Sequence, residues 1–190
     1  MSSPLTSRFE TALGFAFQLH KNQYRKGSHI PYISHLLAVT AIVIENGGSE
    51  NQAIAALLHD AVEDQGGYDT LQEIKEQFGS EVAEIVEGCT DAFTDPKPEW
   101  EGRKTAYLKR LKQSPDTILL VSLADKVHNA RSILRDIKSK EEDVWKKFNG
   151  GKEGTLWYYQ SLVEIFNTSP YPYLTSELSL VVKKIVKLSE

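Results

Sequence analysis

The stretch Thr117-Ile118-Leu119-Leu120-Val121-Ser122-Leu123-Ala124-Asp125-Lys126-Val127-His128-Asn129 decides the fold class. Its first seven residues are mostly β-branched or aliphatic, and read alone they suit a buried strand. The continuation argues otherwise. Apolar residues keep a spacing of three and four through Ala124 and Val127, the period of a helix. Pro115 suits the first turn of such a helix, because a first-turn residue has no intrahelical N–H bond to lose. The segment from Pro115 to Ile137 therefore reads as one long, partly buried helix, with Asp125 embedded in its apolar part.

Working outward, nearly every other long segment also reads as helix. From Arg8 to Leu19, Phe9, Leu13 and Phe17 recur at helical spacing beside Ala12 and Ala16. A loop from Asn22 to Pro31 precedes a helix from Ile33 to Glu45, which stops at Asn46-Gly47-Gly48. A third helix is predicted from about Asn51 to Asp64, ending at Gln65-Gly66-Gly67. Thr70 with Glu73 has the spacing of a capping box for a short helix ending at Gly79, and Ser80 has the chemistry to cap Glu81 to Cys89. Asp95-Pro96-Lys97-Pro98 breaks the pattern as a loop. Helices follow from Glu99 to Lys112 and, beyond a flexible connection Asn149 to Gly154, from Thr155 to Phe166 and Leu174 to Leu188. No internal repeat, low-complexity tract or convincing hairpin interrupts this. The expectation is an all-α fold, one domain over residues 1–190.

Composition narrows the function classes. With 41% apolar and 25% charged residues the chain has the balance of a globular protein. A net charge of −4 argues against non-specific nucleic-acid binding, yet leaves room for a small anionic ligand at a local basic cluster. The single Cys89 rules out an internal disulfide and fits a reducing compartment. Met1-Ser2-Ser3-Pro4-Leu5-Thr6 lacks the basic start and apolar run of a signal peptide, and no apolar run reaches the ~18 residues of a membrane helix. A cytoplasmic location is expected, without membrane association; nothing in the sequence indicates an oligomer.

The chemistry concentrates in Leu57-Leu58-His59-Asp60-Ala61-Val62-Glu63-Asp64. On a continuous helix, His59-Asp60 would lie one turn from Glu63-Asp64, so four polar groups would converge at the end of an apolar segment. His35 and Asp125 are two further polar residues set in apolar sequence on other helices. Taken singly, His35 has the plain reading of a hydrogen-bonded core histidine, and Asp125 that of a buried contact between helices. A buried carboxylate costs several kcal/mol unless paired or metal-bound. Two imidazoles and two carboxylates together suit Mn, Fe or Zn better than Ca.

Tyr24-Arg25-Lys26, Pro31-Tyr32-Ile33-Ser34-His35, the segment Leu57 to Asp64, and Leu123-Ala124-Asp125-Lys126-Val127-His128-Asn129-Ala130-Arg131 resemble the HD superfamily of metal-dependent phosphohydrolases. Within it they are most similar to the hydrolase domain of RelA/SpoT-type alarmone enzymes, in particular the small stand-alone members such as the metazoan SpoT homologues. The resemblance spans roughly Leu13 to Arg135. It implies an HD-type helical bundle with a metal, usually Mn²⁺, held between helices by His35, His59, Asp60 and Asp125. It implies Glu63 and Asp64 as the catalytic acidic pair, and removal of the 3′-pyrophosphate from (p)ppGpp without the synthetase activity of the long bifunctional members. For substrate binding it points to Arg25, Lys26 and Asn129, with Lys126 and Arg131 in the same motif. Arg103-Lys104 offers a second basic patch for the distal phosphates, against a solvated face as the alternative. Trp157-Tyr158-Tyr159 offers Tyr158 as a pocket wall, against a core role. His20 and His128 fit no ligand position and read as structural or exposed.

Two departures bear on the base. Gly27-Ser28-His29-Ile30 lengthens the spacing from Arg25-Lys26 to His35, with Leu36 where the long enzymes commonly have proline, and Asp64 is followed by Gln65-Gly66-Gly67 instead of threonine. The alternatives that follow are the same reaction on (p)ppApp, or an HD phosphatase acting on a 5′-nucleotide or NADPH.

Overall fold

A computed structural model describes residues 5–94 and 96–190. Met1 to Pro4 of the expected non-signal start, and Asp95 of the expected loop, lie outside the described residues. Helices follow one another in the order α1 (Ser7–His20), α2 (Ile33–Glu45), α3 (Glu50–Leu58), α4 (Ala61–Gln65), α5 (Gly67–Phe78), α6 (Ser80–Cys89), α7 (Trp100–Leu111) and α8 (Asp116–Lys140). A 3₁₀ segment, Glu141–Lys147, leads to α9 (Gly151–Phe166) and α10 (Pro172–Ser189). Among the described residues there is no strand, only an isolated antiparallel bridge between Tyr24 and Pro31 that closes the loop before α2. No helix among the described residues is long and apolar enough to cross a membrane.

The centre of the bundle is α3, packed against α1, α2, α6 and α8. Ala53, Ile54, Ala55, Ala56, Leu57 and Leu58 are all fully buried, so this helix is apolar on every side. It starts on a capping box: Ser49 Oγ accepts from Gln52 N, and Gln52 Oε1 accepts from Ser49 N at 2.9 Å. The ambiguous stretch that opens α8 is helical, and Leu120, Val121, Leu123, Ala124 and Val127 are buried against the core. In α1 the buried residues are Ala12, Ala16 and His20, while Phe17 is half exposed. The small side chains let α1 approach α3 closely, and of the large periodic ones Phe9 and Leu13 pack against the core.

Several expected boundaries shift. The predicted third helix is broken: α3 ends at Leu58 and α4 begins at Ala61. Asp60 sits at φ −99°, ψ −3°, the region between helix and turn. Thr70 caps nothing, because α5 already starts at Gly67; its hydroxyl bonds Gln65 O at 3.0 Å instead. Ser80 is the first residue of α6 and makes no side-chain cap. The Gly-rich connection is mostly helix, since α9 starts at Gly151.

One glycine pair sets the geometry beside the site. Gly66 and Gly67 have φ of 140° and 63°, and a Cβ on Gly67 would stand 2.7 Å from Phe93 O. Only glycine permits both the backbone angles and that approach. The Phe93 loop is thereby seated against the end of α4, with Phe93 stacked on Tyr68 at 4.7 Å.

Candidate active site

Four side chains from three parts of the bundle meet behind the broken helix. His35 comes from the first turn of α2, His59 and Asp60 from the α3–α4 break, and Asp125 from the middle of α8. His35 Nε2 lies 3.2 Å from Asp125 Oδ1 and 3.3 Å from Asp60 Oδ2; His59 Nε2 lies 3.1 Å from Asp60 Oδ2 and 3.6 Å from Asp125 Oδ1. Ligand atoms of His35, His59 and Asp125 all fall within 4.8 Å of one another. Both Nε2 atoms are buried and neither has a hydrogen-bond partner, a state that buried polar groups rarely keep. His59 Nδ1 donates to Ala56 O at 2.8 Å, so Nε2 is the atom left to face the cluster.

The field at this point favours a cation. Burial alone would lower the His59 pKa, but the Asp60 and Asp125 carboxylates hold it well above the ordinary imidazole value. Burial alone would raise the carboxylates, yet the histidines, and Lys126 at Asp125, hold both well below their usual range. Two nitrogens and two carboxylate oxygens around a point that stabilises positive charge are a donor set for a divalent first-row ion. The residues thus fit the metal that the sequence implies.

Supporting contacts fix the carboxylates. Tyr32 Oη donates to Asp60 Oδ2 at 2.6 Å. Lys126 Nζ donates to Asp125 Oδ2 at 2.6 Å, and Asn129, one turn on, donates to Asp125 Oδ1. Asn129 Oδ1 in turn accepts from Arg25, whose guanidinium lies 5.5 Å from the Tyr32 ring centroid. The cluster and the loop that carries Arg25 are therefore one connected network.

The acidic pair sits on α4, one turn beyond Asp60, with Asp64 N bonded to Asp60 O at 3.0 Å. The break thus keeps the one-turn relation that a continuous helix would give while turning His59 and Asp60 inward. Lys97 Nζ bridges the pair, 2.8 Å from Glu63 Oε1 and 3.0 Å from Asp64 Oδ1. Gln23 Nε2 donates to the other Asp64 oxygen at 2.9 Å. Burial, then the Asp91 and Asp60 carboxylates, pushes Glu63 up to about 7, with Lys97 opposing. A carboxyl near neutrality exchanges protons readily at physiological pH, the property of a general acid or base.

Both acids open into a cavity of about 790 Å³, lined on its other sides by Arg25, Lys26, Lys126, Asn129 and Tyr158 from the predicted set, and by Tyr159. That volume suits a nucleotide-sized ligand. Tyr158 stands under Lys104, 4.9 Å from its ammonium, and its buried hydroxyl has no partner. Arg103 and Lys104, the expected second basic patch, also line this cavity. Both are salt-bridged to Asp91, and Arg103 is 3.7 Å from Glu63, so they stand beside the acidic pair. Arg131 is not brought to the cavity: it pairs with Glu177 on α10, because residue 131 points about 200° around α8 from Asn129. His20 is structural, buried and stacked on Tyr32 at 5.2 Å. His128 is neither exposed nor remote; its Nδ1 lies 2.7 Å from His35 Nδ1. Burial, then His35 and Arg25, pushes it down to about 4.

Four participants escaped the sequence reading: Tyr32, Asp91, Lys97 and His128. Tyr32 stands inside a quoted motif and Lys97 inside the Pro-Lys-Pro loop, so each carried a positional signal. Asp91 carried none.

Residues 12–156 match the HD domain family. The chain belongs to it. Among HD relatives, the guanosine-3′,5′-bis(diphosphate) 3′-pyrophosphohydrolase MESH1 of Xenopus tropicalis is 40% identical over 150 residues, covering 77% of this chain and 78% of that one. The protein of the same name from Homo sapiens is 39% identical over 127 residues, 65% of this chain and 68% of that one. The HD fold is shared with a solved metazoan orthologue of SpoT described as hydrolysing ppGpp, at TM-score 0.78 and 24% identity over 96% of this chain and 98% of that one. It is shared as well with lmo0812 of Listeria monocytogenes EGD-e, at TM-score 0.69 and 31% identity over 82% of this chain and 97% of that one.

Proposed function

We propose that the chain hydrolyses the 3′-pyrophosphate of guanosine alarmones, (p)ppGpp, to GDP or GTP and pyrophosphate. One observation carries the reading: an acidic pair opens into a nucleotide-sized cavity rimmed with cations, and the largely buried two-histidine, two-carboxylate cluster lies directly behind it, bonded to Tyr32, Lys126 and Asn129 of the cavity wall. The activity for which the MESH1 relatives are named supports it, and the HD-domain match, residues 12–156, extends from before His35 to beyond Asp125.

His35, His59, Asp60 and Asp125 would hold the metal, and Mn²⁺ is the ion proposed. A divalent ion there supplies Lewis-acid polarisation of a phosphoryl oxygen and lowers the pKa of a coordinated water. Glu63 takes the proton of the attacking water as the water oxygen bonds to phosphorus. The bond from phosphorus to the ribose 3′ oxygen breaks, and that oxygen takes up the proton that Glu63 removed from the water. Asp64 holds Lys97 and Gln23 in place beside Glu63. Arg25, Lys26 and Lys126 bind phosphate oxygens, and the planar Arg25 guanidinium can also stack on a purine.

The test is turnover of ppGpp, ppApp, NADPH and simple mononucleotides with Mn²⁺, with products separated by chromatography. Pyrophosphate with GDP from ppGpp is expected. Orthophosphate as the sole phosphorus product would overturn the reading, and ppApp turned over faster than ppGpp would move it to adenine alarmones.

A further inference from the structure

We propose that His128 is a positioning residue for the metal site, fixing the tautomer and ring orientation of His35. The observation is the 2.7 Å approach of the two Nδ1 atoms, with ring centroids 4.8 Å apart. At that distance one Nδ1 must carry the proton and the other must offer its lone pair. His35 can ligate only through Nε2, since that atom faces Asp60 and Asp125. A neutral imidazole with a bare Nε2 carries its proton on Nδ1. His35 Nδ1 therefore donates, His128 Nδ1 accepts, and the proton of His128 sits on its own Nε2.

The fold explains why His35 needs a distant partner. His59 sits at the end of α3, where Ala56 O, three residues back, accepts its Nδ1 proton. His35 sits in the first turn of α2. There Pro31 O and Tyr32 O already accept from Ser34 N and His35 N. Its Nδ1 instead reaches a side chain on α8, 93 residues away in sequence. His128 lies three residues after Asp125 and one before Asn129, so a single turn of α8 supplies a candidate ligand, the acceptor for His35 and the donor to Asp125.

The inference rests on the ligand set proposed above, and His35→Ala is included to separate the two. Mn²⁺ affinity is measured by competition with a chelator for wild type, His35→Ala, His128→Phe and His128→Asn. Asparagine places an acceptor oxygen where Nδ1 stood; phenylalanine keeps a ring of similar size without one. Loss of an acceptor behind a ligating histidine weakens metal binding about 10–100-fold. His128→Phe should show that loss, and His128→Asn should stay within about threefold of wild type. Wild-type affinity in His128→Phe, or equal losses in both variants, overturns the positioning role. Should His128→Phe fail to fold, nitrogen-15 histidine spectra of Zn²⁺-loaded wild type decide alone: His35 protonated at Nδ1 and His128 at Nε2 is expected, and the reverse arrangement overturns the proposal. Full metal affinity in His35→Ala overturns the ligand set and this inference with it.

Discussion

Tyr32 donates a hydrogen bond from its hydroxyl to Asp60 Oδ2 at 2.6 Å while Arg25 covers the same ring at 5.5 Å. One aromatic side chain thus ties a candidate metal ligand to a candidate substrate arm. Burial, then Asp60 and Asp64, holds the phenol well above its ordinary pKa, so it remains a donor throughout the physiological range. Tyr32→Phe keeps the ring under Arg25 and deletes only the donor. Mn²⁺ affinity should fall about tenfold by chelator competition, the cost of losing a contact behind a ligand. An unchanged affinity would show that Asp60 is held in place without this bond.

His59→Ala and Asp60→Ala should each abolish metal retention after dialysis, and activity with it. Removing one of four donors also leaves the remaining buried charges without compensation. Elemental analysis of the purified variants checks this, and unchanged metal content would refute the ligand assignment.

The route from sequence to these residues was uneven for physical reasons. Helix α2 was legible to the residue, because an apolar period runs between a proline and a glycine pair. Helix α8 was legible once its spacing was weighed above its β-rich composition. His59 and Asp60 were found as a motif, but the break at Asp60 was not, since one residue of altered backbone leaves a 3.6-residue period intact. Asp91 was invisible and Lys97 was marked only as part of a loop: the Gly66–Gly67 turn that admits the Phe93 loop against α4 sets where that segment lies. Placing Arg131 with the binding residues followed the motif and ignored the helix, on which two positions separate opposite faces.

Glu63→Gln should lower kcat about 10²-fold or more with metal content unchanged, because it removes a proton acceptor and no ligand. A stability signature should accompany it. The Glu63 pKa is raised in the folded protein to about 7. Between the unfolded value of about 4.3 and that figure, the folded state keeps a proton that the unfolded state releases, so stability falls as pH rises through the window. Glutamine has no such dependence. In metal-free protein the melting temperature of Glu63→Gln relative to wild type should increase from pH 5 to pH 8. A constant difference would mean that Glu63 is not held protonated by its surroundings.

Lys97→Met removes the ammonium that opposes protonation of Glu63 and bridges it to Asp64. Asp91 and Asp60 then act on Glu63 with Arg103 and Lys104 left to offset them. If Glu63 works as a base, the acidic limb of kcat/KM should move to higher pH in this variant. A pH–rate profile reads the shift directly, and a profile that falls in amplitude without moving would place Lys97 on the substrate alone.

Arg25 and Arg131 separate binding from surface pairing. Arg25 lines the cavity and is held by Asn129, while Arg131 is spent on Glu177 at the outer face of α8. Arg25→Ala should raise KM for ppGpp about tenfold, roughly 1.4 kcal/mol of lost charge-assisted contact, with a smaller effect on kcat. Arg131→Ala should leave KM within about twofold and destabilise the fold by less than about 1 kcal/mol, since the pair it breaks is solvent-exposed. Steady-state kinetics beside a denaturant titration tests both. A KM change in Arg131→Ala as large as that in Arg25→Ala would mean that α10 moves to free Arg131 for the substrate.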